Sequence, residues 1–256
     1  MATTKNGVSF FQFNHLAKFS KIQHGIFTRN TGYSNPPFHS LNVSYGTGDD
    51  EKKVKKNRQL IAQCMDAGML IFADQVHSNE ILVLTREHED ELNPQSRSAF
   101  IGDAMVTHIP GLFLVVQVAD CQSVLMCDPI RQVVANVHSG WRGSIDNIIG
   151  RTVVAMEKHF GGDPAQIRAG IGPSLGPCCA EFVNYETEIP EKFWLHKDGG
   201  NHFDFWSISR DQLMDAGILK ENIETCRICT KCHTDLFFSY RGEGTTGRFA
   251  SVIGLK

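Results

Sequence analysis

The stretch Cys121-Gln-Ser-Val-Leu-Met-Cys-Asp-Pro-Ile-Arg-Gln-Val-Val-Ala-Asn-Val-His138 reads as two strands joined by a turn. Residues 122–127 form the first strand and 132–137 the return strand. Asp128-Pro129 supplies the turn, with Asp suited to its first position and Pro pre-set for its second. A tight turn centred between Pro129 and Ile130 sets Cys121 directly opposite His138. Opposed residues of an antiparallel pair have Cβ atoms about 4.5–5.5 Å apart on one face, so a thiol and an imidazole there can share a metal or a proton. Pro129 fits a two-residue turn poorly, and a longer loop or a bulge shifts the register by one. The competing reading of Cys121 is a buried structural cysteine, the commoner fate of that residue.

Working outward, residues 8–13 and 22–28 suggest early strands. A helix begins near Asp49-Asp50, whose carboxylates suit a helix N-terminus. It runs to about Ala67, buries Val54, Ile61 and Cys64 or Met65, and stops at Gly68. Strands follow at 69–73, 80–85 and 112–119. The run 112–119 barely alternates, so both its faces should be covered. Ser144 is placed to cap a helix over 145–160, with Ile145, Ile148, Ile149, Thr152, Val153, Met156 and Phe160 at helical spacing; Gly161-Gly162 ends it. Further strands fit 167–171, 223–228, 234–240 and 249–255, with a helix near 207–216. This irregular interleaving predicts mixed sheets with outer helices rather than a doubly wound fold.

A chain of 256 residues, 41% hydrophobic, can bury a full core. Its net charge of −3 offers no basic field for nucleic acid or an anionic membrane surface. The first residues lack a signal peptide's apolar run, and the longest apolar stretch is too short to cross a bilayer. The expected location is therefore the cytoplasm, where the eight cysteines stay mostly reduced. A special cysteine is then a ligand or a nucleophile.

His138 opens His-Ser-Gly-Trp-Arg-Gly (138–143), directly before the expected helix. Gly140 and Gly143 permit tight turns. The helix N-terminus offers free N–H groups and positive dipole to an anion, and Arg142 adds a fixed positive charge; a loop histidine and a surface arginine are the plainer alternative. A metal needs a third ligand. His77, in the polar loop 74–80 between two apolar strands, leads among eleven histidines. Cys229-Thr-Lys-Cys232-His233 matches a c-type haem attachment pattern, which requires export, or half of a zinc site with Cys226 upstream. A structural zinc needs a second ligand pair that the neighbouring sequence does not supply. Gly170-Ile-Gly-Pro-Ser-Leu-Gly-Pro-Cys-Cys (170–179) is not a nucleotide fingerprint and reads as a shaping loop that walls a pocket. Arg241 and Arg248 flank a Gly-rich loop that suits either phosphate or a solvated hairpin tip.

Taken together, these segments resemble the YfiH family, also called the laccase-domain or multicopper polyphenol oxidase family. The matching stretches are His-Gly-Ile-Phe-Thr-Arg (24–29), Ser-Leu-Asn-Val (40–43), Asp-Gln-Val-His (74–77), Gly-Asp-Ala-Met-Val-Thr (102–107), Val-Ala-Asp-Cys (118–121), His-Ser-Gly-Trp-Arg-Gly (138–143), the 170–179 loop, Cys-Thr (229–230), Phe-Phe-Ser-Tyr-Arg (237–241) and Thr-Gly-Arg (246–248). The resemblance implies a single α+β domain over 1–256, with mixed sheets in α/β/β/α layers. It also implies a catalytic zinc on His77, Cys121 and His138, with a fourth position open. The implied chemistry is phosphorolysis of purine nucleosides (adenosine, inosine, guanosine, methylthioadenosine) with phosphate, and deamination of adenosine. Arg142, Arg29 and Arg248, with Ser40, Asn42 and Asp120, are then the residues expected to contact substrate. Asp74 and Asp120 beside the ligands suit orienting or proton-donating roles. Gly242 stands where the family often has a second arginine, which argues against a paired-arginine clamp. The expected assembly is a monomer or weak homo-oligomer.

Three rivals remain open at this stage. Cys121 and His138 alone make a nucleophile–base pair of the hydrolase kind. One thiolate and two imidazoles also suit Cu2+, given an axial methionine, such as Met105 or Met126, or a substitute ligand; full laccase chemistry needs several coppers, and no His-x-His pair occurs. The third is a role in cell-wall precursor editing, either by such a hydrolase or by a non-catalytic binding protein.

Overall fold

The computed structural model describes residues 2–87 and 100–256. Its strands in chain order are β1 Ala2–Lys5, β2 Val8–Phe11, β3 Ile22–Phe27, β4 Met69–Phe72, β5 Ile81–Leu84, β6 Ala104–Thr107, β7 Leu112–Val118, β8 Gln122–Asp128, β9 Val133–Ser139, β10 Arg168–Ile171, β11 Ile223–Thr225 and β12 Phe249–Leu255. The helices are α1 Glu51–Met65, α2 Trp141–Ile145, α3 Ile148–Phe160, α4 Tyr185–Glu188, α5 Phe205–Asp215 and α6 Tyr240–Glu243. One sheet runs β1-β2-β3-β12-β7-β4 and the other β11-β10-β8-β9-β6-β5. Both are mixed: β4–β7, β5–β6 and β10–β11 are parallel, the other neighbours antiparallel.

The two sheets face each other across a core of Leu114, Val116, Leu125, Val134, Phe237 and Phe249 among others. α1 covers the outer face of the first sheet through Ile61, Cys64 and Met65. α3 and α5 cover the second through Ile148, Ile149, Val153, Met156 and Leu213. The order is therefore α/β/β/α, as expected. β7 explains its own sequence: Phe113 and Val115 face α1, while Leu112, Leu114 and Val116 face the other sheet. Asn136 crosses the layers, donating from Nδ2 to the Leu114 and Ser251 carbonyls at 3.0 and 2.8 Å.

The β8–β9 hairpin differs from its tight-turn reading. Asp128 pairs with Val133, leaving a four-residue loop, and His138 lies opposite Ser123 rather than Cys121. The Asp128 carboxylate accepts from the Ile130 and Arg131 N–H groups at 2.9 Å each, which stabilises the longer loop with Pro129 outside the ladder. The register therefore moves by two residues. Because side chains alternate with a period of two, that shift leaves Cys121 and His138 on the same face.

Three further expectations are corrected. The helix over 145–160 is broken. Ser144 does not cap it, because its hydroxyl meets Ser139 and the Gly140 carbonyl. Asn147, in the left-handed region at φ 57°, caps α3 instead through the Gly150 N–H. Residues 234–240 are turns leading into α6, since Phe237 and Phe238 are both fully buried and do not alternate. The strand expected over 223–228 is shorter, β11 ending at Thr225.

His24 on β3 is fully buried, and its Nε2 accepts from the Phe13 N–H at 2.8 Å while Nδ1 has no partner. Burial, and then the neighbouring His15, hold its pKa down at about 4. A histidine depressed in the folded state binds its proton more readily when unfolded. Its contribution is thus fully present above pH 6.5 and is lost as pH falls toward 4, up to about 3 kcal/mol. Urea denaturation between pH 7 and 4 should show this slope, and His24→Gln, which keeps an acceptor without the titration, should flatten it.

Candidate metal centre

His77, Cys121 and His138 converge. Their ligand atoms lie within 4.8 Å of one another, and Cys121 Sγ is 3.8 Å from His77 Nε2. The two imidazole rings meet edge-on, with centroids 4.8 Å apart. Tetrahedral zinc with ligands at about 2.0–2.3 Å sets neighbouring donors roughly 3.5 Å apart, so one soft thiolate and two imidazoles here fit a divalent ion after small closing movements.

Each of the three donors is positioned by a different device. Cys121 sits in the β7–β8 connection, just after Asp120, whose φ of 87° turns the chain sharply. His138 is held near the end of β9. His77 is on the loop between β4 and β5, at φ 59°, a costly region for a residue with a Cβ. What holds it there is Asp103, at the entry to β6. Its carboxylate accepts from the backbone N–H groups of Val76, His77 and Ser78 at 3.3, 3.0 and 2.7 Å, and from the Ser78 hydroxyl at 2.8 Å. The same carboxylate binds His138 Nδ1 at 2.7 Å. That fixes the tautomer and leaves Nε2 for the site, the usual arrangement behind a metal-bound histidine. Burial raises the Asp103 carboxyl, but His138 and Ser78 outweigh it and hold it at about 2. Sequence reasoning did not assign Asp103; its signal was an acid immediately before a buried strand.

Burial pushes the Cys121 thiol up, yet His138 and then His77 draw it down to about 6. Burial lowers His138, while Cys121 and Asp103 raise it to about 9. The two shifts run in opposite directions, each side chain favouring the charged form of the other. Gly140 makes the approach possible: a Cβ there would stand 2.9 Å from His77 Cδ2 and 3.3 Å from Cys121 Sγ. Gly140→Ala should spread the ligands and weaken zinc binding by about tenfold or more, with the fold intact by circular dichroism. Chelator competition against wild type measures it.

His77, Cys121 and His138 line a cavity of about 930 Å³. Arg248 lines it as well, and Asn42, fully buried, holds that residue by accepting its N–H at 2.8 Å. Arg58, absent from the sequence reading, is a second cation in the wall, stacked 3.5 Å from the Phe72 ring centroid; burial pulls it down to about 10. Asp74 lines the cavity too.

The other expected contacts lie elsewhere. Arg142 is exposed, 4.5 Å over the Trp141 ring and outside the lining, at the start of a five-residue helix rather than a long one. Arg29 is 4% exposed, with its charge taken by Glu243 at 2.8 Å and by the His39 and Thr234 carbonyls. Ser40 donates to the Arg29 carbonyl. Asp120 accepts from Thr230, Ser239 and the Arg241 N–H at 2.6–2.7 Å, so it ties loops together beside Cys121. The 170–179 loop contributes nothing to the lining. Met105 and Met126 are buried in separate hydrophobic clusters and do not line the cavity, so neither is placed as an axial ligand for copper. Among the described residues, no helix is long and apolar enough to cross a membrane.

Known proteins resemble the chain over most of its length. Residues 23–256 match the family model described as multi-copper polyphenol oxidoreductase laccase. The chain is 32% identical to a purine nucleoside phosphorylase of Bacteroides thetaiotaomicron, covering 94% of each. It is 30% identical to purine nucleoside phosphorylase YlmD of Bacillus subtilis, over 91% of this chain and 88% of that protein. The crystal structure of the hypothetical protein YfiH of Bacillus licheniformis superposes with a TM-score of 0.85 at 32% identity, covering 97% of this chain and 96% of that one.

Proposed function

The chain belongs to the multi-copper polyphenol oxidoreductase laccase family, and from that premise we propose that it is a zinc-dependent purine nucleoside phosphorylase acting through His77, Cys121 and His138. The observation that carries the reading is the meeting of these three donors in one cavity with Arg248 in its wall, in a chain whose relatives bear that name. The cavity is of a size that takes a nucleoside-sized ligand.

A zinc ion with three protein ligands supplies a Lewis acid with an open coordination position. The chain's own groups do the rest. Asp103 orients His138 and fixes the loop bearing His77. Arg248 and Arg58 bring fixed positive charge to bind phosphate and turn one of its oxygens toward the ribose. In phosphorolysis that oxygen bonds to the anomeric carbon. The bond from that carbon to the purine nitrogen breaks, and the base leaves with the electron pair and takes up a proton. Adenosine deamination fits the same cavity, water adding at C6 and ammonia leaving.

The test is chromatographic. Zinc-loaded protein with inosine should yield hypoxanthine and ribose 1-phosphate only when phosphate is present, and with adenosine should yield inosine without it. Absence of phosphate-dependent turnover on any purine nucleoside sinks the reading. One observation favours a second reading: Cys121, His138 and Asp103 stand in series as thiol, imidazole and carboxylate, which suits a metal-free cysteine nucleophile acting on an amide, such as a cell-wall precursor. Full amide hydrolysis after metal removal, abolished by iodoacetamide, would favour it.

A further inference from the structure

A second group of sulfurs lies apart from the cavity. Cys178, Cys179, Cys229 and Cys232 place all four Sγ atoms within 4.8 Å of one another. Cys232 Sγ is 3.6 Å from Cys178 Sγ and 3.6 Å from Cys179 Sγ. None of the four lines the cavity. We propose that these cysteines bind a second zinc ion as a tetrathiolate, independent of the His77 centre.

The spacing decides between metal and disulfide. Four sulfurs at about 2.3 Å around a tetrahedral zinc stand roughly 3.8 Å apart, close to the two distances of 3.6 Å. A disulfide needs about 2.05 Å and joins only two sulfurs. Here Cys232 is equidistant from two neighbours, and Cys178 and Cys179 are adjacent in sequence, where a relaxed bond is not available. One ion satisfies all four.

The backbone is shaped around the group. Residues 229–232 form a Cys-x-x-Cys turn closed by the His233 N–H donating to the Cys229 carbonyl at 3.1 Å. Residues 176–180 form a second turn, with the Cys179 N–H donating to the Gly176 carbonyl at 2.9 Å. The turns are pinned together by Ser174 and Cys229 as a β-bridge and by the Thr230 N–H to the Ser174 carbonyl at 3.0 Å. The Gly176 N–H points at Cys229 Sγ at 3.3 Å, a donor that stabilises a thiolate. Gly176 itself admits no side chain, since a Cβ would lie 3.0 Å from Cys229 Cβ and 2.7 Å from the Trp206 ring. Cys226, three residues upstream, packs against the core between the sheets and takes no part.

The position gives the ion a role. Thr230, inside the Cys-x-x-Cys turn, donates to Asp120 at 2.6 Å, and Asp120 precedes the zinc ligand Cys121. A metal gripping both turns therefore steadies the wall behind the first centre, as a structural zinc with no open position.

Metal analysis of the full chain, purified under reducing conditions and loaded with zinc, tests this directly. Wild type should hold two zinc ions per chain. Cys178→Ser with Cys232→Ser should hold one, retained on the His77 centre, and His77→Ala should keep the other. Cobalt titration of wild type needs no variant: the tetrathiolate should give intense thiolate-to-cobalt charge-transfer bands and red-shifted d–d absorption beyond those of a one-sulfur site. One zinc per chain, lost with His77→Ala and unchanged by the serine pair, overturns the proposal. So does iron in place of zinc, or a disulfide among these four cysteines in reduced protein by mass spectrometry. Failure of the first centre would remove a different ion, so the two readings fail separately.

Discussion

Cys121→Ala is expected to retain no zinc on the first centre and to lose phosphorolysis by about 10³-fold or more, a Lewis acid being worth several kcal/mol and each 1.4 kcal/mol a factor of ten. The sulfur is the one soft, anionic donor of the set; without it two neutral imidazoles remain, too few to hold a zinc ion firmly. The loss will not come from unfolding. Cys121 is only partly buried, so removing its sulfur should cost about 1 kcal/mol, well below the large core truncations. The measurement pairs zinc content per chain with steady-state turnover of inosine, on protein whose thermal melting matches wild type. His77→Ala should follow the same pattern, although it keeps the thiolate and so retains a weak residual site. Wild-type turnover in Cys121→Ala protein with no zinc on the first centre would end the zinc mechanism. Wild-type turnover in metal-stripped native protein, abolished in Cys121→Ala, would transfer the role to a cysteine nucleophile.

How much of this was legible in the sequence depends on the range of the interaction involved. β7, β12 and α1 announce themselves because a continuous apolar run or a helical period is a local property. The hairpin shows the limit. Its apolar pattern correctly placed Cys121 and His138 on one face, but loop length sets register, and the Asp128 side chain stabilises a loop that a two-residue turn count misses. The break between α2 and α3 depends on where the Ser144 hydroxyl goes once β9 is beside it. Arg29 and Asp120 read as substrate contacts because charge in a recognised segment suggests a ligand; in the fold, Glu243 and the 230–241 loops absorb both. The four-cysteine group is the clearest case. The Cys-x-x-Cys half was visible, but its partners Cys178 and Cys179 lie about fifty residues away, and only the parallel bridge at Ser174 brings them together.

Asp103→Asn is the second large effect, and it separates orientation from ligation because the residue does not belong to the ligand set. The carboxylate is 2% exposed and accepts five hydrogen bonds, from Val76, His77, the backbone and hydroxyl of Ser78, and His138. An amide of the same shape has one acceptor oxygen. Whichever way it turns, its NH₂ group faces donors: the Val76 and Ser78 N–H groups on one side, or His77 N–H and His138 on the other. Breaking a buried charged partnership in this way should cost about 3–5 kcal/mol. The strained backbone at His77 then loses what holds it, and His138 loses its fixed tautomer, so zinc affinity should fall about 10- to 100-fold. The pH behaviour follows from the carboxyl being depressed from 3.8 to about 2. A carboxylate more acidic in the folded state adds stability above its unfolded pKa, and that stability is lost as pH falls from about 4 toward 2. Asp103→Asn should therefore be less stable than wild type at neutral pH and should lack that acid-range slope. Urea denaturation across pH and zinc competition with a chelator read the two consequences. Ser78→Ala, which removes one neutral donor and leaves the other four, should cost only about 1 kcal/mol and keep near-native zinc affinity. An Asp103→Asn protein that binds zinc as tightly as wild type would show that the three ligands hold their geometry without it.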